Sequence, residues 1–162
     1  MGNSNIAQVL KLLISVGVCQ LAGFIGSLFT SPAVPTWYAT LKKPSFTPPS
    51  WVFAPAWITL YVLMGISLFL VWREGLSERN VKAAMGIFLV QLVLNTSWSI
   101  AFFGFRSTVA GLIVIVLLWI CILFTMYSFL KVSVPAGLML IPYILWVSFA
   151  AILNTSIVLL NR

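Results

Sequence analysis

The sequence predicts an all-α integral membrane protein, a compact bundle of five transmembrane helices. Composition is the first reason. Of 162 residues, 62% are hydrophobic and 7% charged, with a mean hydropathy of +1.13, where soluble domains average about 25% charged residues. The second is length: five apolar runs each reach the roughly 20 residues that cross a hydrocarbon core about 30 Å thick. The runs are too long and unalternating for barrel strands. Backbone groups in lipid must be satisfied internally, so each run is a helix.

The first span covers about 6–29. Lys11 interrupts it, Gly17-Val18 before Cys19 is a poor lipobox, and Gly2 lacks a hydroxyl residue at the myristoylation offset. These features predict a retained span rather than a leader or lipid anchor. Ser15, Cys19, Gly23 and Ser27 recur every fourth position, with Ala22 and Gly26 beside them. Such a stripe lets another helix approach closely, within the bundle or across a dimer face. Residues 30–50 form the one substantial loop. Pro44, Pro48 and Pro49 stiffen it, since each proline fixes φ and removes a donor. Rigid and aromatic, it predicts a lid at the mouth of the bundle.

The remaining spans are predicted at about 51–72, 82–105, 108–130 and 134–160, and the whole chain, 1–162, reads as one membrane domain. Their connectors are short: Arg73 to Lys82 is polar, Arg106-Ser107 is nearly a bare turn, and Lys131 to Val134 is similar. Arg73, Arg79, Lys82 and Lys131 fall on one face, and Lys42, Lys43, Arg106 and Arg162 on the other. That balance gives the positive-inside rule nothing to orient with.

Several chemistries are excluded. The chain has no histidine, and its only acids, Glu74 and Glu78, share one connector. No membrane-embedded carboxylate can relay protons, hold a divalent cation or act as a general acid. Two cysteines cannot build a zinc site, and both lie in apolar runs where a disulfide is not expected. No metal site or required cofactor is expected. The net charge of +7 sits between apolar runs as interface anchors, which argues against nucleic-acid binding.

What could carry function is aromatic. Phe53, Trp57 and Tyr61 share a face of the second span, Asn95, Trp98 and Phe102 a face of the third, and Pro142, Trp146, Ala150 and Leu153 a face of the fifth. The stripes either pack together as core or line a pocket for a flat apolar ligand. Trp98 and Trp146 stand mid-span, away from the interface positions tryptophan usually takes. Asn95, Asn154, Gln20 and Gln91 need partners in lipid, either on another helix or on a ligand. Val34…Tyr38…Lys42 and Leu123…Tyr127…Lys131 fit the loose cholesterol-recognition pattern, which chance also produces.

Trp37-Tyr38-x-x-Leu41-x-Lys43-Pro44-x-x-x-Pro48-Pro49-x-Trp51-x-Phe53-x-Pro55-x-Trp57-x-x-Leu60-Tyr61 resembles the signature of the translocator protein family, also called tryptophan-rich sensory protein or peripheral benzodiazepine receptor. Asn95-x-x-Trp98-Ser99-x-x-Phe102-Phe103-Gly104 resembles its third-helix motif, and Pro142-Tyr143-x-x-Trp146-x-x-Phe149-Ala150-x-x-Leu153-Asn154 its fifth. The resemblance covers nearly the whole chain. It implies a five-helix homodimer in a bacterial cell membrane (the mitochondrial outer membrane in a eukaryote). It also implies binding of porphyrins and haem, sterols, and benzodiazepine-type drugs, with a regulatory or transport role. By motif, the ligand-binding residues would be Tyr38, Pro48, Phe53, Trp57, Tyr61, Asn95, Trp98, Trp146, Ala150 and Leu153. Two departures bear on the ligand. Val114 is apolar where some members carry an acid, and Thr155-Ser156 follows Leu153-Asn154 where the sterol motif needs tyrosine. A tetrapyrrole is therefore expected ahead of cholesterol.

The expected arrangement is a flat ligand between Trp57 and Trp146, with Asn95 as a polar contact. Lys42 and Lys43 face either propionates or lipid head groups. Any haem iron would find only Cys, Met, Tyr or no protein ligand. Two rivals stand beside it. One is light-dependent porphyrin degradation with Trp57 and Trp146 as redox partners, whose chemistry the ligand would supply. The other is passive translocation of tetrapyrroles, since no charge-lined pathway is visible.

Overall fold

A computed structural model describes residues 2–162, with side-chain surroundings from residue 5 onward. It contains five helical segments long and apolar enough to cross a membrane, and the protein is a multi-pass integral membrane protein. Large apolar side chains such as Ile6, Leu13, Leu21, Val93 and Phe124 cover its outside, where a bilayer makes their exposure favourable.

Helix α1 (Gly2–Ala33) is longer than expected and takes residues 30–33 from the predicted loop. Pro32 reads as a breaker, yet in a last turn it forfeits a single backbone hydrogen bond. Val34 N–H still reaches Thr30 O at 3.0 Å. The lid also contains a short helix, α2 (Trp37–Thr40), so the irregular part is smaller than 30–50. Helix α3 (Ser50–Trp72) has Pro49 as its N-cap, and Pro55, in its second turn, forfeits the one bond that an N–H there would give Trp51 O. Gly75 joins α3 to the next helix at φ +106°, a conformation that L side chains rarely adopt.

Helix α4 (Arg79–Ser99) runs on into one π turn, Ile100–Gly104, closed by Phe105 N–H on Ile100 O at 2.8 Å. The extra residue of a π turn shifts the side-chain register. Here both Phe102 and Phe103 end up buried. Arg106 at φ 51° makes the turn, and Ser107 Oγ accepts from Ala110 N–H to start α5 (Thr108–Val132). The last span, expected as one helix over 134–160, is two: α6 (Val134–Leu138) and α7 (Ile141–Leu160). Pro142 marks the break, because it cannot donate to Leu138 O.

The helices close a ring. α1 packs on α3 and α4, α4 on α5, α5 on α6 and α7, and α3 meets α6 and α7. Ser67 Oγ donates to Ala136 O at 2.7 Å and fastens α3 to α6. The small-residue stripe of α1 serves packing inside the chain: Cys19 and Ser15 are buried, and Gly23 lies against the Tyr61 ring. At Gly65 the backbones come closest, since a β-carbon there would meet Val16 Cα at 2.5 Å. Both cysteines are free.

Gly65→Val should therefore destabilise the bundle by about 1–3 kcal/mol or more, because the obstacle is backbone. Gly86→Ala, with open space around its added carbon, should unfold at or slightly above the wild-type midpoint, since alanine favours helix. Unfolding in detergent followed by tryptophan fluorescence reads both.

Candidate functional site

Toward the face that carries the 34–49 loop, the ring opens around a cavity of about 620 Å³. α3 contributes Phe53, Trp57 and Tyr61, the α4 end Asn95, Trp98, Phe102 and Phe103, and α7 Ala150, Leu153, Asn154 and Ile157. α1 supplies the more polar side, with Gln20, Gly23, Ser27 and Thr30, and Val34, Pro35 and Tyr38 form the roof. No lining residue is charged.

Eight of the expected site residues thus line one cavity: Tyr38, Phe53, Trp57, Tyr61, Asn95, Trp98, Ala150 and Leu153. Two do not. Pro48 stands beyond the turn closed by Thr47 N–H on Pro44 O, just before α3. Trp146 lies behind Trp57, the two indoles touching edge to face with centroids 6.5 Å apart and planes at 86°. No slot for a planar ligand exists between them, so the expected Trp57–Trp146 sandwich is not the geometry found. Trp146 instead faces an outer groove between α3 and α7, shared with Trp51 and Pro55. The reason is packing: Trp146 shares a helix face with Ala150 and Leu153, which line the cavity, but its ring is held behind Trp57 against Phe53 at 6.0 Å and Phe149 at 5.8 Å.

The aromatic walls are paired. Trp57 stacks on Tyr61 (5.6 Å, 28°), and Trp98 stacks on Phe102 (5.5 Å, 26°). Each pair is spaced by four on its helix, which stacks side chains on one face. Beneath them runs a buried polar chain. Tyr61 Oη donates to Asn95 Oδ1, Asn95 Nδ2 donates to Tyr143 Oη at 3.0 Å, and Tyr143 Oη donates to Gln91 Oε1 at 2.8 Å. Higher up, Trp98 Nε1 donates to Asn154 Oδ1 at 3.3 Å and Asn154 Nδ2 to Thr108 O at 2.8 Å. Gln20 Nε2 reaches Ile58 O at 3.1 Å. All four mid-span amides therefore bond between helices, and Asn95, Asn154 and Gln20 also border the cavity.

The roof is organised by aromatic contacts. Tyr38 meets Phe102 and Phe103 edge-on at 6.1 and 5.7 Å. Burial pushes its hydroxyl above the usual tyrosine range, so it remains a neutral donor. Lys43 folds back: its Nζ donates to Leu41 O at 3.1 Å and lies 4.8 Å from the Tyr38 ring centre. Lys42 is exposed. Of the two cholesterol-like stretches, the one around Tyr127 lies on the exposed outside of α5, with Lys131 over its ring.

Gly23 and Thr30 of α1, with Phe103 and Ile157, are wall residues that sequence spacing does not single out for a ligand, and Gln20 and Asn154, for which a ligand contact was one of two alternatives, line the wall as well. The small-residue stripe of α1 was the available signal, because short side chains beside aromatic ones leave space as well as permitting contact.

The chain resembles known proteins over most of its length. Residues 15–160 match the TspO/MBR family model. Tryptophan-rich protein TspO of Chlorobaculum tepidum is 47% identical over 154 residues, covering 95% of this chain and 98% of that protein. Protein CrtK of Rhodobacter capsulatus is 43% identical over 145 residues, 88% of each. Translocator protein of Bos taurus is 38% identical over 136 residues, 83% of this chain and 80% of its own.

Removing the Tyr61 hydroxyl (Tyr61→Phe) deprives one acceptor, whereas Asn95→Ala breaks two links of the chain at once. Asn95→Ala should therefore cost more, about 1–3 kcal/mol. A double-mutant cycle between the two should give a coupling of about 0.6 kcal/mol, at most about 1.7. Unfolding by sodium dodecyl sulfate titration measures both quantities.

Proposed function

This chain belongs to the TspO/MBR family, and on that premise we propose that it is a membrane-embedded binding protein for flat, largely apolar ligands, a tetrapyrrole foremost. The observation that carries the reading is the cavity wall. Two stacked aromatic pairs rise on either side of the Tyr61–Asn95 bond, Trp57–Tyr61 on α3 and Trp98–Phe102 on α4. Aromatic faces bind a planar π-system by offset stacking and area burial. At about 620 Å³ the cavity falls within the range of pockets that enclose drug-sized molecules.

The ligand plate would lie between the Trp57 and Trp98 walls, above the Tyr61–Asn95 floor. Trp146 supports Trp57 from behind rather than touching the ligand. Because the lining is uncharged, a ligand's carboxylates belong outside, where water solvates them and no buried partner is required. The exposed Lys42 stands on that side of the lid. Tyr38, Asn154 and Ser27 offer neutral hydrogen bonds around the rim. This arrangement suits capture and release, with no acid–base pair for hydrolytic chemistry.

Protoporphyrin IX added to the detergent-solubilised protein should quench tryptophan fluorescence saturably. Trp57→Ala and Trp98→Ala should each raise Kd by about tenfold or more, about 1.4 kcal/mol. Trp146→Phe, which keeps an aromatic ring behind Trp57, should change it less than about threefold. Equal affinity in the wild type and both alanine variants would refute this placement.

A further inference from the structure

The lid is held to the bundle in an unusual way. Among the described residues, the segment 37–48 makes hydrogen bonds to the rest of the chain at a single place, the carboxamide of Asn161 just past α7. Lys42 N–H donates to Asn161 Oδ1 at 3.0 Å, and Asn161 Nδ2 donates to Lys42 O at 2.9 Å. The side-chain amide thus pairs with both backbone groups of Lys42, as a neighbouring strand would. The same Nδ2 donates to Ile157 O at 2.8 Å, and Asn161 N–H bonds that carbonyl at 3.2 Å. Ile157 is itself buried and lines the cavity. One residue therefore ties the lid to a helix turn that forms the cavity wall.

Its position along the chain gives this clasp leverage. Lys42 follows the roof residue Tyr38 by one short turn, α2. On the near side, the roof is covalently continuous with α1. The other lid contacts with the bundle include aromatic edges, Trp37 and Tyr38 on Phe102, Tyr38 on Phe103, and Phe46 on Phe149. Such contacts tolerate sliding, whereas a paired carboxamide fixes distance and orientation. An aspartate at 161 would lack the donors, and an alanine would lack everything.

We infer that Asn161 is a positioning residue: it latches the 37–48 lid shut over the cavity and thereby sets how long a ligand stays. It touches no ligand and acts only through Lys42. The inference rests on the binding reading for its consequence, but the latch itself can be read without any ligand.

The test compares the full-length wild type with Asn161→Ala and Asn161→Asp in detergent micelles. Hydrogen exchange of peptides spanning 37–48 should accelerate about tenfold in Asn161→Ala, as expected for losing paired neutral bonds. Asn161→Asp, which keeps the acceptor for Lys42 N–H, should fall between. Stopped-flow release of protoporphyrin IX should quicken by a similar factor without slower uptake, while the thermal midpoint stays near wild type. Unchanged exchange across 37–48 in Asn161→Ala overturns the latch. So does an unchanged release rate where the wild type binds the porphyrin. If the wild type binds no porphyrin, the ligand reading fails and the exchange result alone decides the latch.

Discussion

Halfway across the membrane, α3, α4 and α7 are tied by buried hydrogen bonds running from Tyr61 through Asn95 and Tyr143 to Gln91. In hydrocarbon, none of these groups has water to fall back on, so each must find its partner on a neighbouring helix. The chain forces three helices into one rotational setting. Once Tyr61 and Asn95 face each other, Trp57 and Trp98, about one turn nearer the lid on their own helices, are placed around the same space. The floor of the cavity and the orientation of its walls therefore share a cause.

Above that floor the helices stop filling the interior. α1 reaches its tightest approach to α3 at Val16 and Gly65, and Gly23 makes room for the Tyr61 ring. Nearer the lid its wall residues are short, Ser27 and Thr30 among them, facing large rings from α3 and α4. Small against large leaves volume when neither side is long enough to cross. The π turn at the end of α4 adds to this by bringing Phe102 and Phe103 both inward. There they stack and edge against Trp98 and Tyr38, joining wall to roof.

Trp146 shows how a correct stripe leads to a displaced residue. Helical spacing put it with Ala150 and Leu153, and those two do face the cavity. A face of this kind is broad, and a side chain at its edge can turn either way. Packing of Phe53 and Phe149 against the indole holds it behind Trp57, with its Nε1 buried and without a partner. Its place is against Trp57, a cavity residue, and not on the cavity lining itself.

The membrane fold, the five spans and most of the aromatic wall were legible in the order of residues alone. Run length, charge scarcity and spacing by three or four are local quantities that a chain carries before it folds. It also carried the family signature, because those motifs are contiguous. Which side of each stripe looks inward came only with packing, since that depends on partners distant in sequence: Tyr61 on Asn95, Gly65 on Val16, Trp98 on Asn154. The π turn before Phe105 likewise needed the packed bundle, whereas the split of the last span comes from the missing donor of Pro142, which the chain carries before it folds. The pairing of Asn161 with Lys42 spans 119 positions, and no periodicity or motif could have announced it.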